Sequence, residues 1–117
     1  MPDLLDIHDD DELYRRIPRG HIKRNGQIGS PAFLLDGKPD PQISVELARV
    51  TTPEATLGSR DGEKWFVGGI LAAVPRSLTL EVVHDPLEGN WAHAEIRGND
   101  DMAKSRTMAR HTRFVLD

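Results

Sequence analysis

Val82-Val83-His84-Asp85-Pro86-Leu87-Glu88-Gly89-Asn90-Trp91-Ala92-His93-Ala94-Glu95-Ile96-Arg97-Gly98 is the stretch whose reading decides the fold. Leu78, Leu80 and Val82 alternate with Thr79, Glu81 and Val83, the two-residue period of a half-buried strand. Asp85-Pro86 stops that strand, because proline has no N–H to give to a ladder. Glu88-Gly89-Asn90 is turn chemistry, since glycine and asparagine tolerate positive φ. A second alternation follows. Trp91, His93, Glu95 and Arg97 fall on one face, and Ala92, Ala94 and Ile96 on the other. The stretch therefore reads as two strands joined by a turn, with its small apolar face against a helix.

The polar face sets an imidazole, a carboxylate and a guanidinium in a row. His84, Asp85, His93 and Glu95 are the candidate acid–base groups, and Asn90, Trp91 and Arg97 are candidate binding residues. Neighbours two apart on a strand face stand roughly 6–7 Å apart, near enough to couple electrostatically but long for a hydrogen bond. The same row on a solvated outer face needs no function, and both readings stand. A metal centre is not expected, because His84, Asp85 and His93 lack a ligand spacing of a known kind, and no cofactor is expected. His93 is expected to be a buried neutral histidine whose hydrogen bond holds the turn after Asp85.

With 117 residues the chain suffices for one domain. It is 38% hydrophobic and 29% charged, a globular balance, and its six aromatic residues leave the core mainly to Leu, Ile, Val and Ala. Cysteine is absent, which removes disulfides, thiolate zinc sites and a cysteine nucleophile, and fits a reducing cytoplasm. Met1-Pro2-Asp3-Leu4-Leu5-Asp6 lacks the basic and apolar regions of a signal peptide, and no apolar run reaches membrane-spanning length. The expectation is a soluble cytoplasmic protein.

Net charge is −4, yet the charges are uneven. Asp9-Asp10-Asp11-Glu12 is wholly acidic, and the next twelve residues carry Arg15, Arg16, Arg19, Lys23 and Arg24 with no acid. If residues 9–17 are helical, Asp11 with Arg15 and Glu12 with Arg16 are neutralising i,i+4 pairs. A strand ending at Pro18 is equally compatible. The functional reading is a basic patch. A second basic segment runs from Lys104 to Arg113, with Arg106 and Arg110 its candidate binding residues. Part of that charge suits the C-terminal end of a helix without any partner.

Elsewhere the signals are local. Asn25-Gly26 is a tight turn, and Gln27 to Leu35 is expected to be a short bent strand. Asp36-Gly37 reads as a turn, and Lys38-Pro39-Asp40-Pro41 as a constrained loop. Ile43, Val45 and Leu47 alternate with Ser44, Glu46 and Ala48 in the cleanest strand. Thr52-Pro53 opens one or two helical turns. Trp65 to Val74 is expected to be a buried strand pairing with Leu78 to His84, its Gly68-Gly69 marking a bulge or close packing. Asn99 or Asp100 is the expected N-cap of a helix over 101–111, with Met102, Ser105, Ala109 and Thr112 inward. Phe114-Val115-Leu116 should return onto the sheet. The fold class is α+β: a mostly antiparallel sheet of about five strands with a C-terminal helix on one face, and an acidic segment over residues 1–12 that is free to be flexible.

Leu13-Tyr14-Arg15-Arg16-Ile17, Ser30-Pro31-Ala32-Phe33, Ile43-Ser44-Val45, His84-Asp85-Pro86 and Asn90-Trp91-Ala92-His93-Ala94, in this order, resemble a family of small uncharacterised bacterial proteins. The resemblance spans Leu13 to Phe114 and implies proline in relatives where this chain has Trp91. It names a relationship and carries no activity. The order of a Leu-Tyr-Arg strand, a mid-chain strand serine and a later strand glutamate is also similar to ADP-ribosyltransferase-like folds. That similarity implies roles for Arg15 or Arg16, Ser44 and Glu95.

Three classes of function follow. The chain is a binding module whose basic segments and His84–Arg97 turn contact an acidic partner protein or nucleic acid. Alternatively it is a small hydrolase or transferase using His93 and Glu95, which needs the imidazoles of His84 and His93 in one concave pocket. Or it is an accessory subunit, its oligomeric state open.

Overall fold

A computed structural model describes residues 3–36 and 40–117. One antiparallel sheet of six strands organises them: β1 Glu12–Pro18, β2 Gln42–Leu47, β3 Trp65–Leu71, β4 Glu81–His84, β5 His93–Arg97 and β6 Arg113–Leu116. Their order across the sheet is β4-β5-β2-β1-β3-β6. Three short helices accompany it: α1 Pro53–Leu57, α2 Ala73–Ser77 and α3 Met102–Arg110. The α+β class is as the sequence indicates. The sixth strand is the C-terminal segment, which returns as an edge strand on β3. No helix among the described residues is long and apolar enough to cross a membrane.

Alternation sorts the side chains by face. Leu13 and Ile17 of β1, Val45 and Leu47 of β2, Phe66 and Ile70 of β3 and Ala94 and Ile96 of β5 are buried in one core. Met108 and Ala109 of α3 close it, with Ala32 and Phe33 of the 3₁₀ turn Ser30–Phe33. Ser105 Oγ of α3 donates to the Phe33 carbonyl at 2.8 Å, so turn and helix are tied where both meet the core. Burying a side chain such as Phe33 or Phe66 contributes about 1.5–3 kcal/mol. The opposite face carries α1. There Thr52 Oγ1 accepts from Ala55 N–H, and Pro53 follows at the first helical position, the N-cap chemistry expected.

Several local expectations change. Residues 27–35 are not a strand: Pro31 sits in a 3₁₀ turn, and only the isolated bridge Ile22↔Ile28 has sheet character. Residues 12–18 are strand, so the acids do not pair along a helix. Glu12 instead binds Arg113 and Asp11 binds Arg49. Trp65–Leu71 pairs with β1 and β6 rather than with residues 78–84, because helix α2 intervenes and β4 begins only at Glu81. Gly68 and Gly69 do mark close packing at a register shift. A Cβ on Gly68 would lie 2.7 Å from Thr112 Cγ2, and one on Gly69 would run into Glu12 and Val115. The cap of α3 is Asp101, which accepts from Lys104 N–H at 2.8 Å. Its inner stripe is Ser105, Met108 and Ala109, with Met102 half exposed. The N-terminal segment is tied down from Leu5, whose N–H reaches His84, and Ile7 joins the core. The expected Asp36-Gly37 turn and Lys38-Pro39 loop fall largely outside the described residues.

The sheet has one weak seam. β1 pairs with β3 from Glu12↔Leu71 through Pro18↔Trp65, and β2 with β5 from Gln42↔Arg97 through Glu46↔His93. Between β1 and β2 only Leu13↔Leu47 and Tyr14↔Glu46 are in register. Beyond Tyr14 the two strands part.

Candidate functional site

Arg15 fills that parting. Its Nε donates to the Ala32 carbonyl and its Nη1 to the Ser44 carbonyl, each at 2.7 Å, and its guanidinium lies 5.8 Å from the centre of the Phe33 ring. The Ser44 carbonyl is one that a full β1–β2 ladder would have satisfied with backbone. No carboxylate pairs with Arg15 among the described residues. Burial, and the adjacent charge of Arg16, bring its pKa down to about 10. Arg16 donates to the Thr56 carbonyl at 3.0 Å, and its pKa is lowered by burial and by the charge of Arg60. Arg60 sits 5.5 Å from the centre of the Trp65 ring.

These groups line a cleft of about 290 Å³ together with Tyr14, His21, Ser44, Glu46 and His93. Three guanidiniums facing one recess, without an ion pair among the described residues, suit an anion. Glu46 is the one acid among the lining residues, and its charge partly offsets that of Arg16. Its Oε1 accepts from Thr56 Oγ1 at 2.7 Å and its Oε2 from Asn90 Nδ2 at 2.6 Å. Asn90 therefore ties the β4–β5 turn to β2.

His93 borders the cleft from β5. Its Nδ1 lies 2.7 Å from the Asp85 carbonyl, which can only accept, so the ring proton is assigned to Nδ1. Nε2 is then free to accept from the Ser44 hydroxyl, 3.2 Å away. The Asp85 carboxylate stands 3.8 Å from Nδ1. A hydroxyl, an imidazole base and a group that orients the base thus follow one another from cleft to turn. His93 is 7% exposed and Glu95 8%, so this strand face is not the solvated row that composition alone allows.

His84 stands elsewhere. It pairs with Ala94, on the core side, whereas His93 pairs with Glu46 on the other side. Its Nδ1 accepts from Leu5 N–H at 2.9 Å, its Nε2 donates to the Trp91 carbonyl at 2.7 Å, and the Trp91 ring meets it edge-on at 4.6 Å. Both nitrogens are used in fixing backbone, and the two histidines do not share a pocket. Trp91 thereby belongs to the turn rather than to the cleft.

Glu95 pairs with Ser44 across the β2–β5 ladder. Arg97 holds its Oε1 through two donors at 2.8 Å, while Oε2 accepts no hydrogen bond among the described residues. Asp85, His93 and Glu95 have ligand atoms within 4.8 Å of one another, a set that could hold a cation. Arg97 Nη2, 3.8 Å from Asp85 and 2.8 Å from Glu95, already brings positive charge between both carboxylates, and His93 Nδ1 is turned to a carbonyl. The set fits an arginine-neutralised cluster better than a metal centre.

The remaining basic residues divide. Arg19 binds Asp117 and the Gly62 carbonyl beside the Phe66 ring, a tie to the chain's end. Arg24 is exposed and does not line the cleft. Lys23, Arg106 and Arg110 meet around a separate groove, where the two basic segments come together. Sequence reading missed Arg60, Glu46, Thr56 and His21, which come from segments without a motif and join the site only through the sheet. Comparison of the chain with family models, with curated proteins and with solved structures returns no match.

Proposed function

We propose that the chain is a small transferase of the ADP-ribosyltransferase-like kind, acting on a nicotinamide dinucleotide at the cleft where β1 and β2 part. One observation carries the reading. Arg15, Ser44 and Glu95, the residues of the resemblance, lie on the adjacent strands β1, β2 and β5, with Arg15 bonded to the Ser44 backbone and Ser44 in register with Glu95. Arg15 takes the arginine role rather than Arg16, since it alone enters the parting.

The chemistry asks for three things. A pyrophosphate needs cationic donors, which Arg15, Arg16 and Arg60 supply, three guanidiniums against the single lining carboxylate of Glu46. Breaking the bond between ribose C1′ and the nicotinamide nitrogen sends the electron pair to the leaving nicotinamide and develops positive charge on the ribose. Glu95 does not itself line the cleft but stands behind it, paired with Ser44, and its Oε2 is the group proposed to stabilise that charge. The acceptor then bonds to C1′ and gives up a proton, for which the Ser44 hydroxyl and His93 Nε2 offer a path.

The test is nicotinamide release from NAD followed by chromatography, beside thermal melts with and without NAD. Turnover is expected for the wild type and a loss of at least tenfold for Arg15→Ala and for Glu95→Gln. A wild-type chain that neither releases nicotinamide nor melts higher with NAD overturns the reading.

A further inference from the structure

The groove that gathers the two basic segments is distinct from the cleft, though His21 lines both. It measures about 580 Å³ and lies between the residues around Gly20–Pro31 and the outer side of α3. None of the described residues lining it is acidic, in a chain with 19 acids against 15 lysines and arginines. Lys23, Arg106 and Arg110 take no part in any ion pair or side-chain hydrogen bond among the described residues. The usual solvated helix face mixes signs, and α3 needs only its last turn basic to suit its dipole. Lys23 comes from a different segment, so the dipole does not account for it.

Two further features narrow the ligand. Phe114 is 41% exposed at the groove, and its ring is held by stacking on Phe66 at 5.0 Å between centroids. A rigid exposed ring beside unpaired cations is a platform for a flat π-face. His21 lines both recesses, and its Nδ1 is buried and has no hydrogen-bond partner among the described residues. Such an orphaned polar atom is expensive to leave unmade and calls for a ligand group or a water.

We infer that this groove seats single-stranded nucleic acid, with Lys23, Arg106 and Arg110 on successive phosphates and Phe114 under an unstacked base. A duplex hides its bases from a recess of this kind, whereas a single strand presents both charge and π-face. An acidic peptide would use the cations but leave Phe114 without a purpose.

Fluorescence anisotropy tests this with labelled 12-residue DNA and RNA single strands, at 50 and 200 mM salt. Binding of at least one of the two is expected, with affinity falling on a log–log slope of about −2 for three phosphate contacts. Arg106→Glu with Arg110→Glu should weaken it at least tenfold. Phe114→Leu, which keeps an apolar contact with Phe66, should weaken it about tenfold. Unchanged melting curves certify the fold of each variant, and both variants leave the cleft intact, so NAD turnover reports separately on the transferase reading. No binding of either strand at 50 mM salt overturns the inference. So does a poly-glutamate peptide that binds as tightly and is indifferent to Phe114→Leu, or a duplex that outcompetes the single strand.

Discussion

Arg15 Nη1 donates to the Ser44 carbonyl at 2.7 Å, so a side chain replaces the backbone where the β1–β2 ladder ends. The seam is consequently both a structural joint and the wall from which Arg15 lines the cleft. A strand continued in register would have closed the recess. A guanidinium closes the hydrogen bond while leaving further N–H donors for a ligand.

That substitution predicts an anion response. Sulfate should raise the melting temperature of the wild type as it fills the recess, by mass action on the folded state. Arg15→Gln should abolish most of that rise. Equal sulfate stabilisation in both proteins, read by differential scanning fluorimetry, would place the anion elsewhere.

The lowered pKa of Arg15 predicts a pH effect with a definite sign. The folded state releases this proton near pH 10, the unfolded chain only at a distinctly higher pH. Below pH 10 the burial cost is present in full, and it is relieved as pH rises from 10 towards the ordinary arginine range. Stability of the wild type relative to Arg15→Gln should therefore improve through that window, measured by urea unfolding at pH 9, 10 and 11.

Asp11 acts in the opposite direction. Burial would raise its pKa, but the His8 N–H at 2.7 Å and the Arg49 guanidinium at 2.9 Å outweigh burial and lower it. Its contribution is present above the ordinary value of 3.8 and is lost as pH falls through the lower folded value. Asp11→Asn should cost about 1–2 kcal/mol at pH 7, from hydrogen bonds to a charged group, and much less at pH 2. Equal cost at both pH values in denaturant titrations would mean that the charge is irrelevant.

The two hairpin histidines separate by readout. His84→Ala and His93→Ala should each cost about 1–3 kcal/mol, because each leaves a backbone partner unsatisfied. Only His93→Ala should also slow NAD turnover. A variant of His84 that melts low yet turns over normally, beside a His93 variant impaired in both, is the expected pattern in parallel melts and assays.

Gly68→Ala should destabilise by about 1–3 kcal/mol, since its Cβ would overlap Thr112 at 2.7 Å and Ile17 at 3.0 Å. Thermal denaturation checks this, and an unchanged melting temperature would mean that β6 can shift away from β3.

Alternation made the hairpin and β2 legible, because one buried face imposes a two-residue period, whereas the C-terminal return is marked by the apolar run Phe114-Val115-Leu116 alone. Residues 27–35 misled because Ile28 and Phe33 are buried without forming a ladder; apolar character records burial and not conformation. Pairing partners were not legible either. β3 lies between β1 and β6 although Trp65–Leu71 precedes β4 in sequence. At the site, Arg15, Ser44, His93 and Glu95 were visible as residue types on strands. Their meeting depends on β5 lying against β2, a long-range pairing that no local pattern encodes. Trp91 and His84 looked chemical because they flank the turn, but one face-switch along the strand turns His84 to the core.

The weak seam divides the sheet into β4-β5-β2 and β1-β3-β6, and the chain supplies these halves in interleaved order. No cut between β1 and β6 yields a fragment holding one complete half with the other removed. Autonomous subdomains are thereby denied to this architecture. Beyond the local β4–β5 hairpin, its folding must close long loops before either half completes its ladder, which favours slow, all-or-none assembly over stepwise growth from one end. Circular permutants and split-chain reassembly should reveal one cooperative unit, because residues of both halves fill the same core.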